Sequence, residues 1–222
     1  MPVQLNTVPK KEIAFKHATQ LSTYLLIVWG MYRLLFKFPD TVDELFAKPL
    51  LWLVPVYYFV NKEKLGLSSL GFTLKKLFPS IYLAIALGAG FAIEGIIVNF
   101  IKYQNLDFSA NIGGNPFFAA IGISLITSIT EEVTFRGFIF NRYLHVFKNE
   151  WQANILTSIF WGLVHIPIAI FWWKLSIGTA LGYLILTIIY GVGASFLFAR
   201  TRNIASPILL HLFWEWPIIL FR

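Results

Sequence analysis

The chain has 222 residues, of which 57% are hydrophobic, 18% aromatic and 13% charged; soluble domains carry about a quarter charged residues, so an ordinary soluble protein is excluded and a polytopic membrane protein is indicated. A net charge of +7 would suit nucleic acid only if Lys and Arg gathered on one face, whereas here they lie between apolar segments, as membrane topology requires. The lack of cysteine excludes disulfides, thiolate metal sites and a Cys nucleophile, and no G-x-S-x-G marks a Ser nucleophile.

The N-terminal stretch "VPKKEIAFKHATQLSTYLLIVWGMYRLLF" places basic residues ahead of an apolar run without an A-x-A cleavage site. It reads as an uncleaved first span over 18–36, behind a cytoplasmic tail of residues 1–16. A span needs about 20 apolar residues. The next candidates are 49–60, short and broken at Pro55, then 79–100, 117–146, 151–172, 176–199 and 204–221. The fourth is too long for one crossing, and its second part, "FRGFIFNRYLHVF", reads as an amphipathic piece emerging at the membrane surface. The expected architecture is all-α, a transmembrane helical bundle of about seven to eight helices. It forms a single membrane-embedded domain over residues 1–222, with no soluble domain or internal repeat.

Orientation follows from the basic loops. Lys10, Lys11 and Lys16 precede the first span; Lys62, Lys64, Lys75 and Lys76 follow the second; Arg142 and Lys148 follow the fourth; Arg200 and Arg202 follow the sixth. The alternate loops carry Lys37, Lys48, Lys102 and Lys174 with the acids Asp40, Asp43, Glu44 and Asp107. The N-terminus is therefore expected in the cytoplasm. Seven crossings would leave the C-terminus outside, where Arg222 gives no guidance.

With the loops set aside, the ionisable groups at membrane depth are Glu94, Glu131, Glu132, Arg136, His165, His211 and Glu215. A charge at the bilayer centre costs at least about 2.5–3.5 kcal/mol, so such groups face the protein interior and have a partner or a task. Glu132 and Arg136, four residues apart, share a helical face and can pair. Glu131 lies about 100° round the helix, so that pairing need not consume it. One paired carboxylate beside one left free suits a general base and its orienting partner; an ion-pair cluster locking two helices fits the same residues. His165 follows Trp161 by four residues in mid-span, where Gly162 permits close helix approach and Pro167 kinks the chain. His211 and Glu215, at i and i+4, suit a hydrogen-bonded pair or two metal ligands. Three helices thus offer polar groups at comparable depth, which favours a site over a scaffold. Glu94, flanked by small residues, reads as structural.

Glu131-Glu132-Val-Thr-Phe-Arg136 followed by Gly137, then Trp161-Gly-Leu-Val-His165, then His211-Leu-Phe-Trp-Glu215 resemble the EExxxR, FxxxH and HxxxN/D motifs of the CPBP intramembrane proteases. These are the CAAX prenyl protease and bacteriocin-processing (Abi) family. The "KEKLGLSSLGFTLKK" stretch before the third span is also similar, and the resemblance covers roughly 60–221 and is strong over 124–215. It departs from the family at Trp161, an aromatic-for-aromatic change, and at Glu215. An Asn there donates to an oxyanion, whereas an ionised Glu cannot; a protonated Glu can, and a carboxylate can instead ligate a metal or orient His211.

The resemblance implies an intramembrane endopeptidase acting on a membrane-associated protein or peptide, with the motif-bearing core over about 117–221. Glu131 would activate water, Glu132 and Arg136 would hold it, His165 would help bind the water and pass a proton to the leaving amine, and His211 with Glu215 would stabilise the oxyanion or orient the peptide. His165, His211 and Glu215 form a zinc set on paper, but no HExxH is present and a metal-free mechanism is preferred. A proton-coupled transporter would also bury such groups, yet should show inverted repeats, which the sequence lacks. A non-catalytic immunity or scaffold protein would lose the base, which is kept here. The compact chain reads as a multi-pass protein of a bacterial plasma membrane, with the lipid bilayer and a membrane-associated substrate as partners and no role for nucleic acid.

Overall fold

A computed structural model of the chain describes residues 9–105 and 117–220. Among them the chain forms seven helices and no strand. Helix α1 joins Lys11–Tyr24, a π-helical Leu25–Trp29 and Gly30–Leu35. Helix α2 joins Asp40–Val42, the π-helical Asp43–Ala47 and Lys48–Lys62. Helix α3 is Leu77–Tyr103. Helix α4 runs through Phe117–Glu132, a π-helical Val133–Phe140 and Asn141–Phe147. Helix α5 is Glu150–Leu163, continued past Pro167 by the π-helical Ile168–Trp172. Helices α6 and α7 are Ile177–Thr201 and Ala205–Leu220. Four segments, Leu77–Ile101, Phe118–Phe147, Glu150–Trp172 and Ile177–Thr201, are long and apolar enough to cross a bilayer. Asp107 and Arg222 lie outside the described residues, as does the side chain of Lys102.

Helix α4 is central, touching α1, α2, α5, α6, α7 and the Leu67–Leu70 turn before α3. The π-helical part of the second half of α4 is therefore enclosed by protein, while Leu144, His145, Val146 and Phe147 beyond it are half-buried. Every residue from Val133 to Phe140 is buried, because neighbours cover the helix on all sides and its polar groups find partners inside. Arg142 NH2 donates to Glu63 Oε2 at 2.7 Å, Arg142 NH1 to the Ser69 carbonyl at 3.0 Å, and Asn141 Nδ2 to the same carbonyl at 2.9 Å. The basic stretch between α2 and α3 thus clamps this half of α4. Nor does Pro55 break α2, which continues through it from Lys48 to Lys62. A helix held by its neighbours tolerates the lost backbone bond.

Apolar side chains point outwards, among them Phe78, Tyr82, Ile93 and Ile101 on α3, Ile155 and Ile159 on α5, and Ile185 and Ile189 on α6. Ser124, Ser128, Thr130, Glu131, Glu132, Thr134 and Arg136 of α4 are buried. Lipid accepts the first set, and the second must find partners within the bundle. Gly162 does allow close approach: a Cβ there would lie 2.7 Å from Ile188 and 2.9 Å from Leu184 of α6. The regular helix ends at Leu163 and the chain turns at His165, whose backbone N–H bonds back to the Gly162 carbonyl at 3.0 Å, before helical backbone resumes through Pro167.

Candidate active site

Glu131 and Glu132 are the penultimate and last residues of the regular first part of α4, where the backbone widens into an eight-residue π stretch. Such stretches are rare and often accompany functional sites. Glu132 is fully buried, and its Oε1 gathers three donors: Arg136 NH1 at 2.9 Å, the Tyr190 hydroxyl at 3.0 Å and His211 Nδ1 at 2.9 Å. The expected Glu132–Arg136 pair forms. Arg136 also donates to the Gly191 carbonyl of α6 at 3.2 Å, and its guanidinium lies 4.8 Å from the Trp161 ring centroid and 5.5 Å from that of Tyr190. One carboxylate thereby ties α4 to α6 and α7.

Glu131 stays outside the Glu132–Arg136 pair, as expected, but other donors hold it. Its Oε1 accepts from Lys48 Nζ at 2.9 Å and its Oε2 from the Trp161 indole N–H at 2.8 Å. Lys48, read from sequence as a loop residue, is buried in the first turn of the regular part of α2. It also donates to Glu44, which in turn accepts from Thr127 Oγ1 at 2.7 Å, and it lies 5.7 Å from the ring centroids of both Trp29 and Trp52. A buried ammonium needs compensating charge, and the two glutamates supply it. A cation at the edge of an apolar segment carries no sequence signal that distinguishes a loop from an inward-facing first turn.

His165 Nδ1 lies 2.7 Å from the Trp161 carbonyl. A carbonyl only accepts, so Nδ1 carries the hydrogen and the lone pair of the neutral ring is on Nε2. That Nε2 faces Glu131 Oε2 at 3.8 Å. Both atoms are acceptors, and a water set to one side of the line between them can donate to each at about 2.8 Å. His211 likewise carries hydrogen on Nδ1, which meets a carboxylate, and turns Nε2 towards Glu215 Oε1 at 3.6 Å. Glu215 Oε2 accepts from Ser124 Oγ. An aromatic wall encloses the histidines: Trp161 is 4.8 Å from His165 and 5.9 Å from His211, and Tyr190 stacks on Trp214 at 4.6 Å between centroids.

The structure brings Glu131, Glu132, Arg136, His165, His211 and Glu215 together from α4, the end of α5 and α7. Glu94 on α3 makes no ion pair with any described residue. Lys48, Glu44, Tyr190 and Ser124 join without having been singled out, and Trp161 acts as a hydrogen-bond donor besides matching the motif. Tyr190, whose hydroxyl sits in a run of small residues, was the one with a readable signal: a polar tip in an apolar span needs a partner. Among the described residues no group of three or more His, Asp or Glu side chains is placed to hold a metal ion. Of the zinc set, His211 and His165 each commit Nδ1, to Glu132 and to the Trp161 carbonyl, and turn Nε2 towards Glu215 and Glu131 respectively.

Residues 113–217 match the family described as type II CAAX prenyl endopeptidase Rce1-like. That segment, a little under half of the chain, is similar to the Rce1-like proteins of the CPBP family. The Rce1-like match includes the strongly similar stretch 124–215 and all six candidate residues, and leaves out 60–112, where the wider resemblance had been drawn. Lys48 and Glu44 also lie outside the Rce1-like segment, so the cation facing its first motif glutamate comes from a part of the chain that the family match does not reach. No curated protein matches the chain.

Proposed function

We propose that this chain is an intramembrane endopeptidase that hydrolyses a peptide bond of a membrane-associated protein or peptide, of the CAAX or leader-peptide kind, by glutamate-activated water and without metal. The observation that carries the reading is the separation of 3.8 Å between Glu131 Oε2 and His165 Nε2, two acceptors between which one water can donate a hydrogen to each. Glu131 takes a proton as the water oxygen bonds to the scissile carbonyl carbon. His165 orients the water, and the proton then passes to the departing amine, so that water and amide give a carboxyl and an amine. Lys48 and Trp161 fix the base, while Glu132, itself held by Arg136, orients His211. His211 in its protonated form, with Nδ1–H on Glu132, presents Nε2–H to orient the substrate carbonyl or stabilise its developing oxyanion, with Glu215 acting through His211 Nε2. The Rce1-like match supports the reaction class, and the apolar spans support a bilayer-embedded substrate. We place the N-terminus in the cytoplasm from the distribution of Lys and Arg.

General-base action contributes about 10² to 10⁴ in rate, so Glu131→Gln should lower turnover at least about a hundredfold. Peptide termini compared between membranes of cells expressing wild type and Glu131→Gln test this directly. Termini found only with the wild type establish proteolysis and identify the substrate; equal termini at equal expression remove the reading. The Lys48–Glu131 contact also favours a second reading, a non-catalytic membrane protein that uses the pair to lock α2 onto α4. That protein would give equal termini with wild type and Glu131→Gln, and would keep its biological effect in Lys48→Met/Glu131→Gln, which removes both charges of the pair.

A further inference from the structure

Where α2 ends, the bundle holds a second polar feature. Lys11 of α1, Asn141, Leu144 and His145 of α4, Lys148 at the C-cap of α4 and Arg202 at the C-cap of α6 line a cavity of about 300 Å³. None of the lining residues is acidic. The carboxylates nearby are committed elsewhere: Glu63 faces Arg142 at 2.7 Å and His17 at 3.0 Å, and Glu150 pairs with Arg200 at 2.5 Å. Glu12 is exposed and projects about 100° round α1 from Lys11. Arg202 donates to Asn141 Oδ1 at 3.0 Å, and Lys11 Nζ reaches the Val146 carbonyl at 3.5 Å. Lys148 is exposed and makes no ion pair with a described residue. Three permanent cations and a histidine therefore face one cavity that no carboxylate lines; Glu150, paired with Arg200, acts on Arg202 from outside it.

We propose that this cavity binds a phosphate group, presented by an anionic lipid headgroup or taken up as free phosphate. Basic pockets between helix ends suit phosphate because the ammonium and guanidinium groups donate hydrogen bonds to its oxygens while neutralising its charge. Exposed apolar surface continues from the cavity. Phe15 on α1 packs 6.3 Å from Phe147, and Trp151 opens α5 three residues beyond Lys148. An acyl chain attached to the phosphate can follow that surface into the bilayer. None of the lining residues hydrogen-bonds to Glu131, His165 or His211, so the site stands whether or not the chain is a peptidase.

The test uses the purified full-length protein in neutral detergent, with lipid retention read by native mass spectrometry and melting temperature read by thermal shift. Phosphatidylglycerol, phosphatidylcholine and millimolar inorganic phosphate are added separately to wild type and to Lys11→Gln/Lys148→Gln. Retention of phosphatidylglycerol over phosphatidylcholine, weakened about fivefold for each lysine removed, supports the site with lipid as its source. Stabilisation of the wild type by inorganic phosphate, lost in the variant, supports the site with free phosphate as its source. Equal binding of phosphatidylglycerol by wild type and variant, or no effect of either anion on the wild type, overturns it. Should the double variant fail to fold, Lys148→Gln alone, at an exposed and unpaired position, carries the same comparison.

Discussion

Lys48 decides the state of Glu131 more than any residue of the Rce1-like segment does. Its ammonium lies 2.9 Å from Glu131 Oε1 and also meets Glu44, inside an aromatic box of Trp29 and Trp52. A carboxylate deprived of its cation in such a place is costly: removing one partner of a buried pair typically loses about 3–5 kcal/mol. Lys48→Met should therefore lower the melting temperature and activity together. Lys48→Met/Glu131→Gln removes both charges and should recover much of the stability while staying inactive. Thermal shift in detergent and peptide cleavage, measured on the two single variants and the double variant, give the coupling. Additive stability losses would mean that the two groups do not interact. The same logic explains the crowding at Glu132, where Arg136, Tyr190 and His211 converge on one oxygen.

At the level of elements, the second half of α4 holds the site in register. Its π stretch passes under the Leu67–Leu70 turn so closely that a Cβ on Gly137 would lie 2.8 Å from the Leu70 carbonyl oxygen. That neighbour is backbone, itself fixed by Asn141 and Arg142 binding Ser69, and cannot swing aside. Gly137→Ala should cost about 1–3 kcal/mol, the usual penalty of overpacking, and lower the melting temperature by several degrees. Gly122→Ala, where nothing lies within 4 Å of an added Cβ, is the matched control and should be stabilising by up to about 1 kcal/mol, because Ala favours a helix over Gly. Equal melting temperatures for the two variants would show that the turn yields. This half of α4 is also where sequence and structure part. Asn141 and Arg142, seen alone, mark a water-facing stripe; their partners Glu63 and Ser69 stand 79 and 73 residues from Arg142 in the chain, beyond the reach of any periodicity. The π geometry has no compositional signature either. By contrast α3 and α6 were legible as apolar runs, and Glu131, Arg136, His165 and His211 stood out because ionisable groups in such runs are rare. Lys48 did not stand out, since a lysine beside a span is the commonest arrangement there is.

Across the whole molecule, charge is sorted by end. Lys76 reaches the Arg200 carbonyl, Lys11 that of Val146, and Arg202 the Asn141 side chain, so the basic stretches that flank α1, α2, α4 and α6 meet in space. At the other end Arg33 is paired with Asp43 and lies 5.5 Å from the Trp172 ring, which places the connections after α1 and after α5 together. The positive-inside rule leads us to expect the basic end, and the cavity of Lys11, Lys148 and Arg202 with it, on the cytoplasmic side. Because the chain contains no cysteine, a single introduced thiol reports one position without background. Lys37→Cys and Lys174→Cys, both exposed, should react with a membrane-impermeant maleimide in intact cells. Lys64→Cys and Lys148→Cys, equally exposed, should react only after the membrane is opened. The reverse pattern would turn the bundle over and put the basic cavity on the outer leaflet. A mixed pattern within either pair would mean that the helices do not cross in the order their charges imply.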